Sequence, residues 1–206
     1  MIKVILFDFD GTIADSFDNF LEIIDVMTAK YKLPVLSLTE ISELRNNSAQ
    51  DIVKRLKIPL YKIPFMARDM KRLQKEQISS LKPCAGIPDV LKSLKNKNVK
   101  LGIATSNGHD NVQAFLTNNN LQFFEYLYCD IGMFGKSSGI KKFLRKHKLL
   151  ESEVVYVGDE IRDIEAAHKA GVKVASVTWG FNSKEGLLKH SPDFIINSPE
   201  ELLKLY

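Results

Sequence analysis

Four apolar residues, Val4, Ile5, Leu6 and Phe7, run into Asp8 without polar alternation. That is the pattern of a strand covered on both faces, as in a parallel sheet. From residue 16 to 81 the apolar positions recur at three- and four-residue spacing, in "FDNFLEIIDVMTAKY", "TEISELR", "SAQDIVKRL" and "PFMARDMKRLQKEQISSL". This spacing predicts helices and no strand. Ser48 before "AQDI" and Thr39 before "EISE" stand where helix N-caps are expected, with Asp51 three residues beyond Ser48. The segment ends in "KPCAGIP", punctuated by Pro83, Gly86 and Pro88.

From residue 87 helices and short apolar strands alternate: helix "DVLKSLKNK", strand "VKLGIAT", helix "DNVQAFLTNN", strand "YLYC", helix "SGIKKFLRKHKL", strand "EVVYVGD", helix "RDIEAAHKAG", strand "VKVASV", a late apolar "DFII" and a final helix "PEELLKLY". Alternation of this kind implies a parallel sheet with right-handed crossovers. The expected fold class is therefore α/β, with a core formed by residues 1–15 and 82–206 and an all-helical insert over 16–81 after the first strand.

Composition narrows the function classes. The chain has 206 residues, 45% of them hydrophobic and 26% charged, the balance of an ordinary globular protein long enough to bury a core. Its net charge is +4, and residues 16–81 hold 11 Lys/Arg against 8 Asp/Glu, so most of the excess sits there. No dense basic run with interleaved aromatics occurs, so no nucleic-acid partner is expected, whereas a small anionic substrate fits. Cys84 and Cys129 are far apart and form no CxxC, which argues against zinc and for free thiols in a reducing compartment. No apolar stretch reaches the about 18 residues of a membrane helix, so a cytoplasmic protein without a membrane partner is expected. Oligomeric state is not legible.

The chemistry gathers at strand ends. Asp8 and Asp10 in "LFDFDGT" leave one strand two residues apart, and at about 4 Å with an effective dielectric near 20 their repulsion is about 4 kcal/mol. A single Asp before Gly11 would explain a turn; two call for a cation. "GIATSNG" supplies Thr105, Ser106 and Asn107 before a helix starting near His109, either an anion site or an ordinary N-cap. "VVYVGDEIRD" supplies Asp159 and Asp163. If these strands are adjacent, four carboxylates converge, and an oxygen-only set points to Mg²⁺. Lys136, in the loop "GMFGKSSG", is the remaining cation. A P-loop is excluded because the position five before Gly135 is Asp130, and no G-x-G-x-x-G follows a strand.

The ordered set "DFDGT", "TSN", Lys136 and "GDEIRD" resembles the four motifs of the haloacid dehalogenase superfamily, in the phosphoglycolate phosphatase-like group with a helical cap after the first motif. The resemblance spans the chain. It implies a Rossmann-like core and a Mg²⁺-dependent phosphatase acting on a small phosphomonoester, 2-phosphoglycolate or similar. Asp8 would be the nucleophile and Asp10 the general acid and base. Ser106 and Asn107, with Gly11 and Thr12, would hold phosphate, and Lys136 would offset charge. Asp8, Asp10 through its carbonyl, and Asp159 would bind Mg²⁺, with Asp163 in support. Arg45 in "ELRNNSAQD" is a candidate fork for a substrate carboxylate, against a purely structural role. Two departures from the family pattern stand out: Glu160 follows Asp159, where a helix-capping role is favoured, and no proline follows Lys136. A sugar-phosphate mutase of the same superfamily is the near alternative; a phospho-accepting signalling or binding protein is the distant one. His109, His147, His168 and His190 occur singly and read as surface or structural, and Trp179 and Phe181 in "TWGFN" read as packing or as walls of the crevice.

Overall fold

The structure, a computed structural model, describes residues 2–132 and 135–206. The strands are β1 (Val4–Phe7), β2 (Lys100–Ala104), β3 (Tyr126–Tyr128), β4 (Val154–Gly158), β5 (Lys173–Val177) and β6 (Phe194–Ile196). All pair in parallel, in the order β3-β2-β1-β4-β5-β6. The unbroken apolar run of β1 has its reason here. Ile5 and Phe7 enter the hydrophobic cluster on one face, while Val4 and Leu6 enter the cluster on the other. β4 divides likewise, with Val155 and Val157 on the first face and Val154 and Tyr156 on the second. A central parallel strand needs this, because crossover helices cover both faces.

Helices α1 (Phe17–Tyr31), α2 (Leu38–Leu44), α3 (Ala49–Arg55) and α4 (Ile63–Gln77) all fall between β1 and α5 (Ile87–Asn96), so the insert is all-helical as expected. The chain enters and leaves it side by side: Cys84 N donates to the Ile13 carbonyl at 2.8 Å and Asp15 N to the Lys82 carbonyl at 2.9 Å. α1 and α4 are joined by the buried Asp69, which accepts from Lys30 Nζ and, at 2.6 Å, from Tyr31 Oη. Ser48 caps α3 as expected, its Oγ accepting from Asp51 N at 3.2 Å. Thr39 does not cap α2. Ser37 does, because Glu40 lies three residues beyond it and closes a reciprocal pair, Glu40 N to Ser37 Oγ and Ser37 N to Glu40 Oε2.

The remaining helices are α6 (His109–Asn118), α7 (Lys136–His147), α8 (Ile161–Ala170) and α9 (Lys184–Leu188). The final "PEELLKLY" is a 3-10 turn over Pro199–Lys204 rather than an α-helix, anchored by the fully buried Leu202. Lys136, expected in a loop, is instead the first residue of α7 and is buried. Of "GMFGKSSG", Met133 and Phe134 lie outside the described residues.

Candidate active site

β1 and β4 are neighbours although β2 and β3 intervene in sequence, so the sheet reverses its direction of growth between them. In a parallel sheet that reversal leaves a crevice at the carboxyl ends of the two strands. Asp8 stands at the end of β1, where its N–H continues the ladder by donating to the Val157 carbonyl at 2.8 Å. Asp159 stands at the end of β4, and Asp163 lies in the first turn of α8.

These three aspartates, all buried, each bring one carboxylate oxygen within 4.8 Å of the others. Lys136 Nζ binds two of them, donating to Asp8 Oδ2 at 2.7 Å and to Asp163 Oδ1 at 2.5 Å. The rest of the set is fixed by backbone and hydroxyl donors. Asp8 Oδ1 accepts from Phe9 N at 2.8 Å, and Asp163 Oδ2 from Glu160 N at 3.0 Å. Asp159 accepts from Thr12 Oγ1 and from Phe181 N, both at 2.7 Å.

The charges do not balance: three buried carboxylates share one ammonium. Burial, then the neighbouring Glu160, Asp163 and Asp8, raise the Asp159 carboxyl well above its ordinary range. Burial pushes Asp163 up to about 6 even though Lys136 pulls it down. Burial also works against the Lys136 ammonium, yet Asp163 and Asp8 more than offset it and the Lys136 pKa lies above its usual value. Carboxylates with oxygen donors only, crowded and short of positive charge, are a fit for a hard divalent cation.

Asp10 departs from the expected four-carboxylate cluster. Its Oδ2 accepts from Asn107 Nδ2 at 2.9 Å, and Asn107 is itself held through Oδ1 by Gly108 N at 2.8 Å and Asn111 Nδ2 at 3.0 Å. The strand ends at Phe7, and a tight turn follows in which Ile13 N and Ala14 N both donate to the Phe9 carbonyl. The two-residue alternation that would have kept Asp10 beside Asp8 therefore stops. Burial, outweighing the Asn107 hydrogen bond, raises Asp10 to about 6. Asp10 and Asn107 line a cleft whose other wall comes from α1 and α4, with Phe181 at its edge.

Other expected substrate-side residues have structural partners. The Thr12 hydroxyl orients Asp159 instead of facing the cleft. Gly11 N donates to Ala14 O at 2.9 Å and to Ser16 Oγ at 3.2 Å, so that N–H already has partners. Gly11 is needed for another reason: its φ is +73°, and a Cβ there would lie 2.3 Å from Asp159 Oδ2. Ser106 lies half-buried in the turn between β2 and α6. Arg45 does not form a free fork: Nε donates to the Phe181 carbonyl at 2.8 Å and Nη2 to the Gly180 carbonyl at 2.7 Å, over the Phe17 ring. It clasps the insert to the loop that positions Asp159. Glu160 stands at the N-cap position of α8, as favoured, and its Oε1 also accepts from Arg162 Nη2 at 2.5 Å.

Three contributors escaped the sequence reading. Ser16 holds the turn after β1. Asn182 Oδ1 accepts from Ile161 N at 2.9 Å, capping α8 from 21 residues away, while its Nδ2 donates to the Arg45 carbonyl at 2.6 Å. Arg162 adds a cation beside the cluster, its pKa raised above the ordinary arginine value because Glu160, Asp8 and Asp163 outweigh its burial. Phe181 proves to be both wall and packing, edge-on to Phe17 and Phe20.

A parallel sheet, a helical insert after β1 and an acidic centre at the point of sheet reversal define the class: an α/β protein whose centre lies beneath an inserted helical layer. The chain matches the family described as haloacid dehalogenase-like hydrolase over residues 5–177 and belongs to that family. It is 30% identical over 204 residues, 98% of this chain and 96% of its relative, to a phosphoglycolate phosphatase of Synechococcus elongatus. It is 25% identical, over 98% of this chain and 93% of the relative, to an N-acetylmuramic acid 6-phosphate phosphatase of Pseudomonas aeruginosa. In fold it is similar to a haloacid dehalogenase-like hydrolase from Streptococcus pneumoniae, with TM-score 0.82 and 23% identity over 98% of this chain and 97% of the other. No helix among the described residues is long and apolar enough to cross a membrane.

Proposed function

We propose that the protein is a Mg²⁺-dependent phosphatase that hydrolyses a small phosphomonoester, 2-phosphoglycolate or similar, through an aspartyl-phosphate on Asp8. The observation that carries this reading is the buried Lys136 bridging Asp8 and Asp163, with Asp159 alongside and Asp10 turned to the cleft. An Asp8 oxygen attacks phosphorus and the bond to the ester oxygen breaks. The leaving oxygen takes its proton from Asp10. Asp10, now a carboxylate, then takes a proton from water as that water's oxygen attacks the phosphoryl group, the bond to Asp8 breaks, and phosphate leaves. With its carboxyl raised to about 6, Asp10 is poised to do both near neutral pH. Lys136 and the Asn107 amide supply fixed positive ends for the developing charge, the main requirement of phosphoryl transfer. Ser106, in the turn beside Asn107, would hold an oxygen of the same phosphoryl group.

The side chains of Asp8 and Asp159 and the Asp10 carbonyl would hold Mg²⁺, with Asp163 supporting through Lys136; when bound, the ion neutralises phosphoryl charge. Residues 16–81 act as the cap that closes over substrate and excludes water. The two thiols, Cys84 raised to about 12 and Cys129 to about 11, both by burial, are suited to staying reduced in the cytoplasm.

The test is phosphate release from small phosphomonoesters with Mg²⁺ and with chelator, by the wild type and by Asp8→Asn. Metal-dependent release that the variant lacks supports the reading. Release unaffected by Asp8→Asn overturns the mechanism. Conversion of a sugar phosphate to its isomer without net phosphate release points to the mutase instead.

A further inference from the structure

The space between the Asp10–Asn107 wall and the insert is about 20 Å³, room for about one water, so a phosphomonoester enters only when the insert shifts. What such a shift moves in the core depends on the contacts that seat the insert. Residues 45–47, at the end of α2, are bound to residues 180–183, in the loop after β5. Beyond the two guanidinium bonds of Arg45, Ser183 N donates to the Arg45 carbonyl at 2.9 Å and Ser183 Oγ bonds Asn46 Oδ1. The same loop holds one ligand of the acidic centre from behind: Phe181 N donates to Asp159 Oδ2 at 2.7 Å and Asn182 N to the Asp159 carbonyl at 3.3 Å.

One side chain in this loop reaches both bodies. The buried Asn182 accepts through Oδ1 from Ile161 N at 2.9 Å, at the start of α8 and two residues before Asp163. Its Nδ2 donates to the Arg45 carbonyl at 2.6 Å and to the Asn47 carbonyl at 3.1 Å. The orientation of the amide is determined, because a backbone N–H only donates and carbonyls only accept. Capping a helix requires the acceptor alone, which Ser or Asp supplies as well. The two donor hydrogens of Asn182 serve the insert instead.

Resting on the Mg²⁺ reading of the acidic centre, we infer that Asn182 is a positioning residue that couples the seating of the insert to the metal site. With the insert seated, the loop holds Asp159 and the start of the helix that carries Asp163 in place for the ion. Such coupling is reciprocal, so Mg²⁺ bound in the core holds the insert down in turn.

The experiment is trypsin cleavage between residues 32 and 62, where Lys54, Arg55 and Lys57 are exposed targets, with Mg²⁺ alone and with chelator. It compares the wild type with Asn182→Ala and with Asn182→Asp, which keeps the acceptor for Ile161 N and lacks the donors. In the wild type Mg²⁺ slows cleavage at least about fivefold; in both variants it slows it less than about twofold while still raising their melting temperature. Loss of a merely structural bond speeds cleavage with and without Mg²⁺ alike and leaves that ratio unchanged. Equal slowing in wild type and variants, or a wild type whose melting temperature rises with Mg²⁺ while its cleavage does not slow, overturns the inference and leaves the metal site standing. A wild-type melting temperature that does not respond to Mg²⁺ overturns the metal reading itself. Asn182→Asp decides the comparison should Asn182→Ala not fold.

Discussion

Lys136→Met isolates the charge balance of the site. Methionine keeps most of the lysine stem, so the change removes an ammonium 2.7 Å from Asp8 and 2.5 Å from Asp163 without opening a large cavity. Removing one partner of a buried charge pair costs about 3–5 kcal/mol, because the other charge is left without compensation. For a chain of this length each kcal/mol moves the melting temperature by about 2–4 °C, so a drop of about 6–20 °C is expected at about pH 7.5 in chelator. The pH dependence has a definite sign. Asp163 already stands at about 6 in the wild type despite the pull of Lys136, so without the ammonium its folded pKa lies further above the unfolded one. A group raised in this way contributes its full stability below its unfolded pKa and loses it as pH rises through the folded value. The gap between variant and wild type therefore narrows at about pH 5 and widens toward about pH 7.5. Thermal melts at both pH values check this, and added Mg²⁺ should recover more of the variant's loss than it adds to the wild type. A drop below about 2 °C, or an equal drop at both pH values, refutes the claim that Lys136 neutralises the cluster.

Gly11→Ala should lose about 1–2 kcal/mol to the positive φ and displace Asp159, since the new Cβ would lie 2.3 Å from its Oδ2. Melting temperature and phosphate release should both fall, and wild-type turnover would count against the tight packing of that turn on Asp159. Arg45→Met removes two charge-assisted bonds to the Phe181 and Gly180 carbonyls, so limited proteolysis should cut between residues 32 and 62 sooner than in the wild type. Unchanged cleavage would mean that Arg45 does not clasp the insert. With Asp10 raised to about 6 and acting as the proton donor, kcat/KM for an alkyl phosphate should decline as pH rises above that value, and Asp10→Asn should abolish that limb of the profile. A limb that persists in the variant assigns the proton to another group.

The parallel sheet and the helical insert were legible because their causes are local. The solid apolar runs "VILF" and "VVYVG" occupy β1 and β4, each buried on both faces. The α2 start was misplaced by two residues although its signal is also local: Ser37 has Glu40 three residues on, whereas Thr39 has Ser42. The closing segment "PEELLKLY" shows the limit of periodicity, since its leucines suit an α-helix and a 3-10 turn equally, and packing of Leu202 and Leu205 on the core decided.

The site was legible to the extent that its residue types are chemically conspicuous. Carboxylates at the ends of adjacent strands, and a lysine to meet them, could be named from spacing. Their partners could not. Thr12 serves Asp159 across 147 positions, Arg45 serves Phe181 across 136, and Lys136 spans 128 to reach Asp8. No local pattern marks such pairs. The Asp10 side chain falls outside the carboxylate cluster for a local reason: the strand's alternation favoured it, but the turn that redirects it is closed by Ser16 and backbone bonds to Phe9. That redirection divides the chemistry. Turned toward Asn107, Asp10 has its carboxyl raised to about 6 by burial, which outweighs the Asn107 hydrogen bond, while Asp8 is paired with the Lys136 ammonium. The tight turn after β1 therefore gives two aspartates only two residues apart different surroundings, one beside an amide and the other beside an ammonium.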